Sequence, residues 1–598
     1  MPASIVHHSE APYAYPVTPT SMKLRLKVRR GGAREVVVLY RDRYVTPGTE
    51  QASSMEYAGS DRYHDYYEMT IDVPTRRLAY LFHVTFHDGT AVWYGERGAA
   101  DNRQEAATFQ YPYICGADLP VVPDWVKDAV VYQIFPDRFS NGDTSNDQPH
   151  TEAWTAEARP TADSFFGGDL RGIINKLPYL KELGVNLIYT TPIFLSHSNH
   201  KYDTVDYYQL DPSFGDEETM KELVKEAHKL GIRVMLDAVF NHTGDGFFAF
   251  QHLLKNGEQS PYKDWYFVES YPVTQDPVTY ETFGNHYASM PKLNTGHEPA
   301  GDYMIEVAKY WVSETGIDGW RFDVANEVDA KFWRKLRTEL KSLDAELLLL
   351  GEFMHDAGPW LRGDQFDGVM NYMFRESMLD YFAKQTIDAK TFGEQLTRML
   401  MNLTDQAGAA MLQLIDSHDT ERFLTTCMKG GIGWDAKGTA EARMRLAVSF
   451  QLAFPGMPMI YYGDEAGMQG EHDPDCRRPM LWEEADRSQS MYDTYARMIA
   501  LRHAHPALRR GTFRVWFADA ARNAFGFVRE TEEETIYVII NNSAGELGLK
   551  DELNTLLASV SLKDVLNGRT YDEGAASGFS LPAYGCAVLL AYATDGQQ

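Results

Sequence analysis

The chain predicts an α/β architecture: a closed (β/α)8 barrel carrying an inserted subdomain and flanked by antiparallel β-sandwich domains at its N- and C-terminal ends. Three observations predict it. Eight short apolar runs lie in the middle of the 598 residues, each ending in polar residues, with helical stretches between them. One connection, after the third run, is too long to be a structureless loop. At both ends of the chain the pattern changes to alternation with a period of two.

The runs are Ala129–Phe135, Gly184–Tyr189, Ile232–Leu236, Ile317–Phe322, Ala345–Leu350, Phe366–Met370, Ala409–Ile415 and Gly456–Tyr462. Near-continuous apolar runs are what strands buried on both faces require. Lys221–Leu230 and Lys331–Leu343 have helical spacing between runs. Eight such alternations favour a closed barrel, with an open doubly wound sheet as the alternative. The barrel is placed at 122–240 and 296–504, and residues 241–295 form the inserted subdomain. In the N-terminal domain, 1–121, Leu24, Leu26 and Val28 alternate with Lys23, Arg25, Lys27 and Arg29, a strand with one wet face. Val36–Tyr40, Tyr66–Val73 and Leu78–Phe86 are further strands, and Leu119–Asp124 reads as a linker. Phe525–Arg529 and Thr535–Asn541 belong to the C-terminal sandwich, 505–598.

Composition narrows the function. A net charge of −28 argues against nucleic acid, whose phosphates need a basic surface, and does not oppose a neutral ligand. No apolar run reaches the ~20 residues of a membrane span. Met1–Glu10 lacks the basic and apolar regions of a signal peptide. Cys115, Cys427, Cys476 and Cys586 are widely spaced, which reads as reduced thiols in a cytoplasmic protein.

In a barrel the active site lies where strands end. The third run closes on Asp237-Ala-Val-Phe-Asn241-His242, the fourth on Arg321-Phe-Asp323, the fifth on Gly351-Glu352 and the seventh on Asp416-Ser-His418-Asp419. Carboxylates from unrelated segments therefore meet on one rim. Asp323 and Glu352, at equivalent positions of adjacent strands, suit the ~5–5.5 Å pair of a retaining glycosidase. Arg321, two residues before Asp323, shares its face and favours an ionised nucleophile. Glu352, after the apolar Leu347–Leu350, is expected in a setting that raises its pKa, as a general acid requires. Asp419 would stabilise positive charge in the transition state, and His242 and His418 would donate to sugar hydroxyls. Two other readings of these acids are buried salt bridges and ligation of a catalytic divalent metal. No HxH or HExxH spacing supports the second.

These segments, in this order, resemble the four conserved regions of the α-amylase superfamily, glycoside hydrolase family 13, a family of TIM barrels. Val324-Ala-Asn-Glu327, Met290-Pro-Lys-Leu-Asn294, Gly463-Asp-Glu-Ala-Gly-Met468 and Asp473-Pro-Asp-Cys-Arg-Arg478 are similar to its neopullulanase, cyclomaltodextrinase and maltogenic amylase group. The resemblance covers nearly the whole chain, and the N-terminal sandwich looks like that group's starch-binding-type module. It implies Asp323 as nucleophile, Glu352 as acid/base and Asp419 as transition-state stabiliser. Arg321, His242 and His418 would hold the sugar at the cleavage point, and Tyr202 would stack on it. Asp473 and Arg477 would grip the next sugar on the non-reducing side, and Glu327 would face the acceptor.

The residues alone read more readily as an Asx-rich solvated turn, but the resemblance implies a structural Ca2+ held by Asn141, Asp143, Asn146, Asp147, the Gly167 carbonyl and Asp169. It implies no organic cofactor. It implies cleavage of α-1,4 and α-1,6 glucosidic bonds in cyclodextrins, short malto-oligosaccharides and pullulan, some transglycosylation, and a homodimer in which one subunit's N-terminal domain covers the other's cleft. An oligo-1,6-glucosidase, a transferase, or a non-catalytic glucan-binding protein on the same fold are the alternatives. Two departures stand out. Met354 replaces the Trp usual in relatives, so a flat stacking face is missing. The 428–439 segment looks longer than its counterparts and follows His418-Asp419 closely.

Overall fold

The computed structural model describes residues 4–285, 287–430, 437–558, 560–572 and 578–592. Its centre is a closed barrel of eight parallel strands. They are β1 Val131–Ile134, β2 Leu187–Thr190, β3 Arg233–Ala238, β4 Gly319–Phe322, β5 Leu348–Phe353, β6 Gly368–Asn371, β7 Leu412–Gln413 and β8 Met457–Tyr461, and β8 pairs with β1 to close the ring. Each strand lies at one of the eight apolar runs, so the closed barrel forms and the open sheet does not. The strands are almost entirely buried, as their uninterrupted apolar character requires.

The helices between strands are capped by local sequence. Asp216 accepts a hydrogen bond from Thr219 N at the start of Glu217–Lys229, whose first turn is acidic and last turn basic. Asp329 caps Ala330–Leu343, which buries Phe332, Trp333, Leu336 and Leu340 on one face. The segment after β3 carries a helix, Phe248–Asn256, and short bridges pairing Tyr266 with Leu293, Thr282 with Pro291 and His242 with Lys292. That last bridge returns the excursion to the rim of the barrel.

Before the barrel lie a five-stranded and a six-stranded antiparallel sheet, packed around Met22, Leu24, Leu26, Val28, Val36, Val38, Tyr80 and Phe82. Here one expectation is corrected. On the expected wet face of its strand Lys23 and Arg25 are covered, and only the end of that face, at Arg29, is exposed. Arg25 is buried, its Nη1 donating to the Leu403 carbonyl, and Lys23 Nζ lies 2.8 Å from Asp405 in the barrel. Period two reveals two faces but not what covers the polar one. After the barrel, a six-stranded and a two-stranded antiparallel sheet complete the chain. The long segment 428–439 runs from the helix Phe423–Lys429 to the helix Lys437–Ala453, and its middle, 431–436, lies outside the described residues.

Candidate active site

Register brings the acids together. Asp237 on β3 pairs with Arg321 on β4, and Phe322 pairs with Gly351 on β5. The next residues along β4 and β5 are Asp323 and Glu352, so these two emerge side by side at the C-terminal rim. Arg321 points into the barrel and is fully buried. Its Nη1 donates to Asp237 Oδ1 and Oδ2 and to Asp323 Oδ1, all at 2.9 Å, and its Nη2 lies 2.7 Å from Glu352 Oε1. That last contact is a close ion pair without hydrogen-bond alignment. A single guanidinium therefore faces three carboxyl groups.

Glu352 Oε2 accepts from Val324 N at 3.0 Å, and Tyr372 OH donates to Oε1 at 3.4 Å. The setting is thus more polar than the preceding leucines suggest, because the side chain turns from the strand's apolar run toward Arg321, Tyr372 and a backbone N–H. Val324 itself is held at φ 45°, ψ 42°, left-handed geometry that costs a β-branched residue ~1–3 kcal/mol. This strained turn directly follows Asp323 and presents the N–H that Glu352 binds.

The charge balance also departs from expectation. Burial pushes Asp323 well above the ordinary carboxylate range. Arg321 pulls it down, and Glu352, Asp237 and Asp419 push it up again. Burial likewise raises Asp237 to about 6 despite Arg321. Burial thus outweighs the single guanidinium at both Asp323 and Asp237.

A second network lies beside the first. Tyr202 OH donates to Asp237 Oδ2 at 2.9 Å and sits 2.6 Å from His418 Nε2. Gln133 Nε2 donates to His418 Nδ1 at 2.9 Å, which leaves the ring proton on Nε2. Burial, with Arg477 and Arg321 nearby, holds His418 neutral. Asp419, with a third of its side chain exposed, lies 3.1 Å from His418 Nε2 and 3.3 Å from Arg477 Nη2. Arg477 Nη1 also pairs with Asp473 at 2.9 Å. His242 is buried and depressed to about 3 by desolvation. Its ring stacks on Phe283, 5.0 Å between centroids, and its Nε2 lacks an aligned partner. Glu327 lies 3.3 Å from Lys292 Nζ. Met354, just past β5, is 58% exposed.

From Asp323 and Glu352 through Arg321, Asp237, Tyr202 and His418 to Asp419, Arg477 and Asp473 the contacts are continuous, whereas His242 and Glu327 are linked through Asn241 and Lys292, and Met354 lies exposed just past β5. Sequence reasoning missed Tyr189, whose OH donates to Asp237 Oδ2 at 2.8 Å, along with Gln133 and Tyr372. Strand-end polarity was the available signal, since Tyr189 ends the second apolar run.

The predicted calcium ligands are also gathered. Asp169 accepts from Gly142 N at 3.0 Å, Asp143 N at 2.9 Å and Asn146 Nδ2 at 3.2 Å, and Asn141 Nδ2 donates to Asp147 Oδ1 at 2.7 Å. Gly167 has φ 77°, and a Cβ there would come within 2.4 Å of Asp147 Oδ1. Asn141 Oδ1 and Asn146 Oδ1 are buried without hydrogen-bond partners. Two orphaned amide oxygens beside two carboxylates fit a hard cation. Among the described residues no group of three or more His, Cys, Asp or Glu is arranged to hold a metal.

An Asp and a Glu brought to one arginine by adjacent barrel strand ends form the carboxylate pair that glycoside hydrolases use. Residues 133–486 match the α-amylase catalytic domain and residues 1–115 the α-amylase N-terminal Ig-like domain. The chain belongs to the α-amylase family. It is 50% identical over 541 residues to Neopullulanase 2 of Thermoactinomyces vulgaris, covering 90% of this chain and 91% of that one. It is 46% identical over 545 residues to a cyclomaltodextrinase of Thermoanaerobacter pseudethanolicus, covering 90% and 92%. A solved cyclomaltodextrinase structure superposes with a TM-score of 0.90 at 40% identity, over 98% of this chain and 99% of the other.

Proposed function

We propose that this hydrolase cleaves α-1,4 glucosidic bonds, and α-1,6 bonds where the acceptor side admits them, in cyclodextrins, short malto-oligosaccharides and pullulan, with retention of configuration. The observation that carries the reading is the pairing of Asp323 and Glu352 on one guanidinium at neighbouring strand ends. Asp323 attacks the anomeric carbon while Glu352 protonates the leaving oxygen. Water deprotonated by Glu352 then releases the sugar, and a sugar hydroxyl in its place gives transglycosylation. Asp419 stabilises the positive charge that develops in the transition state of each step. Tyr202, His242 and His418 hold the sugar at the cleavage point, and Asp473 and Arg477 hold its neighbour. The exposed Met354 offers the acceptor a flexible apolar contact in place of a flat ring.

The test compares kcat/KM on β-cyclodextrin, maltotriose, pullulan and soluble starch and follows the anomer first released. Preference for the first three with an α product supports the reading. A β product, or equal activity on starch, overturns it.

We further propose a homodimer in which one copy's N-terminal domain narrows the other's cleft. Tyr44 on that domain, 76% exposed and flanked by Arg43 and Arg77, is the kind of aromatic anchor such a contact uses. A monomer by sedimentation at assay concentration would refute it. The orphaned Asn141 and Asn146 oxygens support structural Ca2+, held with Asp143, Asp147, Asp169 and the Gly167 carbonyl. When bound, the ion would pin the entry to the helix Leu170–Leu183. The four cysteines carry free thiols, which supports a reducing, cytoplasmic location. None of the described helices is long and apolar enough to cross a membrane.

A further inference from the structure

We infer that Lys292 is the positioning residue that sets the acceptor side of the site, and so the partition between water and sugar as acceptor. The inference rests on the glycosidase reading above.

Lys292 comes from the segment inserted after β3. The bridge with His242 fixes its backbone against the rim. Its ammonium has three protons and three acceptors within reach: Asn241 Oδ1 at 2.6 Å, the Glu327 carbonyl at 3.2 Å and Glu327 Oε2 at 3.3 Å. Every donor is matched, which is the geometry of a clamp. The clamped parts come from three separate stretches of chain: the end of β3, the insertion and the turn after β4.

Each arm leads to the reacting groups. On one side, Lys292 donates to the amide oxygen of Asn241, which orients that amide so that Nδ2 faces His242 Nδ1 at 3.3 Å. The ring proton is thereby kept on Nε2, ready to donate. On the other side, Lys292 holds Glu327, in the turn that begins at the strained Val324. That same turn donates Val324 N to Glu352. Glu352 serves the oxygen that leaves and the oxygen that enters, so the groups of this turn border the acceptor. Half of the Glu327 side chain is exposed, whereas that of Lys292 is largely covered. The lysine braces and the glutamate meets the incoming hydroxyls.

In transfer, the bond between C1 and Asp323 breaks as an acceptor hydroxyl oxygen bonds to C1, and its proton passes to Glu352. A sugar acceptor needs its hydroxyls oriented, whereas water needs no such grip. Loss of the brace therefore weakens transfer more than hydrolysis.

The test uses the full-length protein with maltotriose as donor and added maltose as acceptor, comparing wild type, Lys292→Met, Lys292→Arg and Glu327→Gln. Product analysis reads the transfer-to-hydrolysis ratio. Lys292→Met should lower that ratio about tenfold, the worth of one charge-assisted hydrogen bond. Glu327→Gln should lower it in the same direction, and Lys292→Arg should recover part of it. A ratio within twofold of wild type in Lys292→Met overturns the inference. So does a loss of hydrolysis and transfer in equal proportion together with a lower Tm, which marks a merely structural lysine. A wild-type protein without activity on any α-glucan would overturn the underlying reading, and this inference with it.

Discussion

Arg321→Met replaces the buried guanidinium by an unbranched apolar chain, the gentlest way to remove its charge. The side chain is fully buried and makes contacts of 2.9 Å to Asp237 and Asp323 and 2.7 Å to Glu352. Breaking a buried ionic network by removing one partner costs about 3–5 kcal/mol. The remaining carboxyls respond by keeping protons, since burial already raises Asp323 and Asp237. A raised carboxyl is protonated, and harmless, below its folded pKa. Above that value it carries an unpaired buried charge. The loss of stability should therefore be largest at pH 8 and smaller at pH 5. Urea unfolding of the barrel followed by tryptophan fluorescence at both pH values measures it. Activity at pH 7 should fall by roughly two to four powers of ten where a comparable free energy is lost from the transition state. A loss under about 1 kcal/mol at pH 8, below the range for a broken buried pair, would refute the reasoning. So would a loss that grows as the pH falls.

Three further outcomes are expected. Asp323→Asn should abolish nearly all turnover with the fold intact by circular dichroism, because an amide cannot form the glycosyl-enzyme; activity within about tenfold of wild type would exclude Asp323 as nucleophile. The acidic limb of kcat/KM should lie above the ~3.9 of a free aspartate. As the pH drops through the raised Asp323 value, the nucleophile takes up its proton and activity is lost. An acidic half-point at or below about 4 contradicts that assignment. Chelation of Ca2+ should lower Tm, readdition of excess Ca2+ should restore it, and the gain should scale logarithmically with free ion. Gly167→Ala should abolish the response, because its Cβ would collide with Asp147; a Tm indifferent to chelator in the wild type would dismiss the site.

Of the site, the acids were legible because a barrel strand ends where its apolar run ends, and polar residues at that point have only the rim to occupy. Asp323 and Glu352 could be paired from spacing alone, since one strand-helix-strand step separates them. Tyr189 escaped notice because a tyrosine closing an apolar run reads as core until its OH is seen on Asp237. Lys292 escaped for a different reason. It lies 51 residues from Asn241 and 35 from Glu327, in a segment with no periodicity to place it.

The sequence by itself determined the barrel, its two flanking β-regions, the inserted segment and which acids gather at the rim. These depend on patterns of period two, on short apolar runs and on the residues that end them, all of which are local. Only the tertiary structure decided how the charges settle. That Lys23 and Arg25 meet the barrel and not water, that one arginine serves three acids, and that burial outweighs it at Asp323 are consequences of which distant surfaces exclude solvent. Desolvation depends on everything packed around a group, and no stretch of sequence carries that information alone.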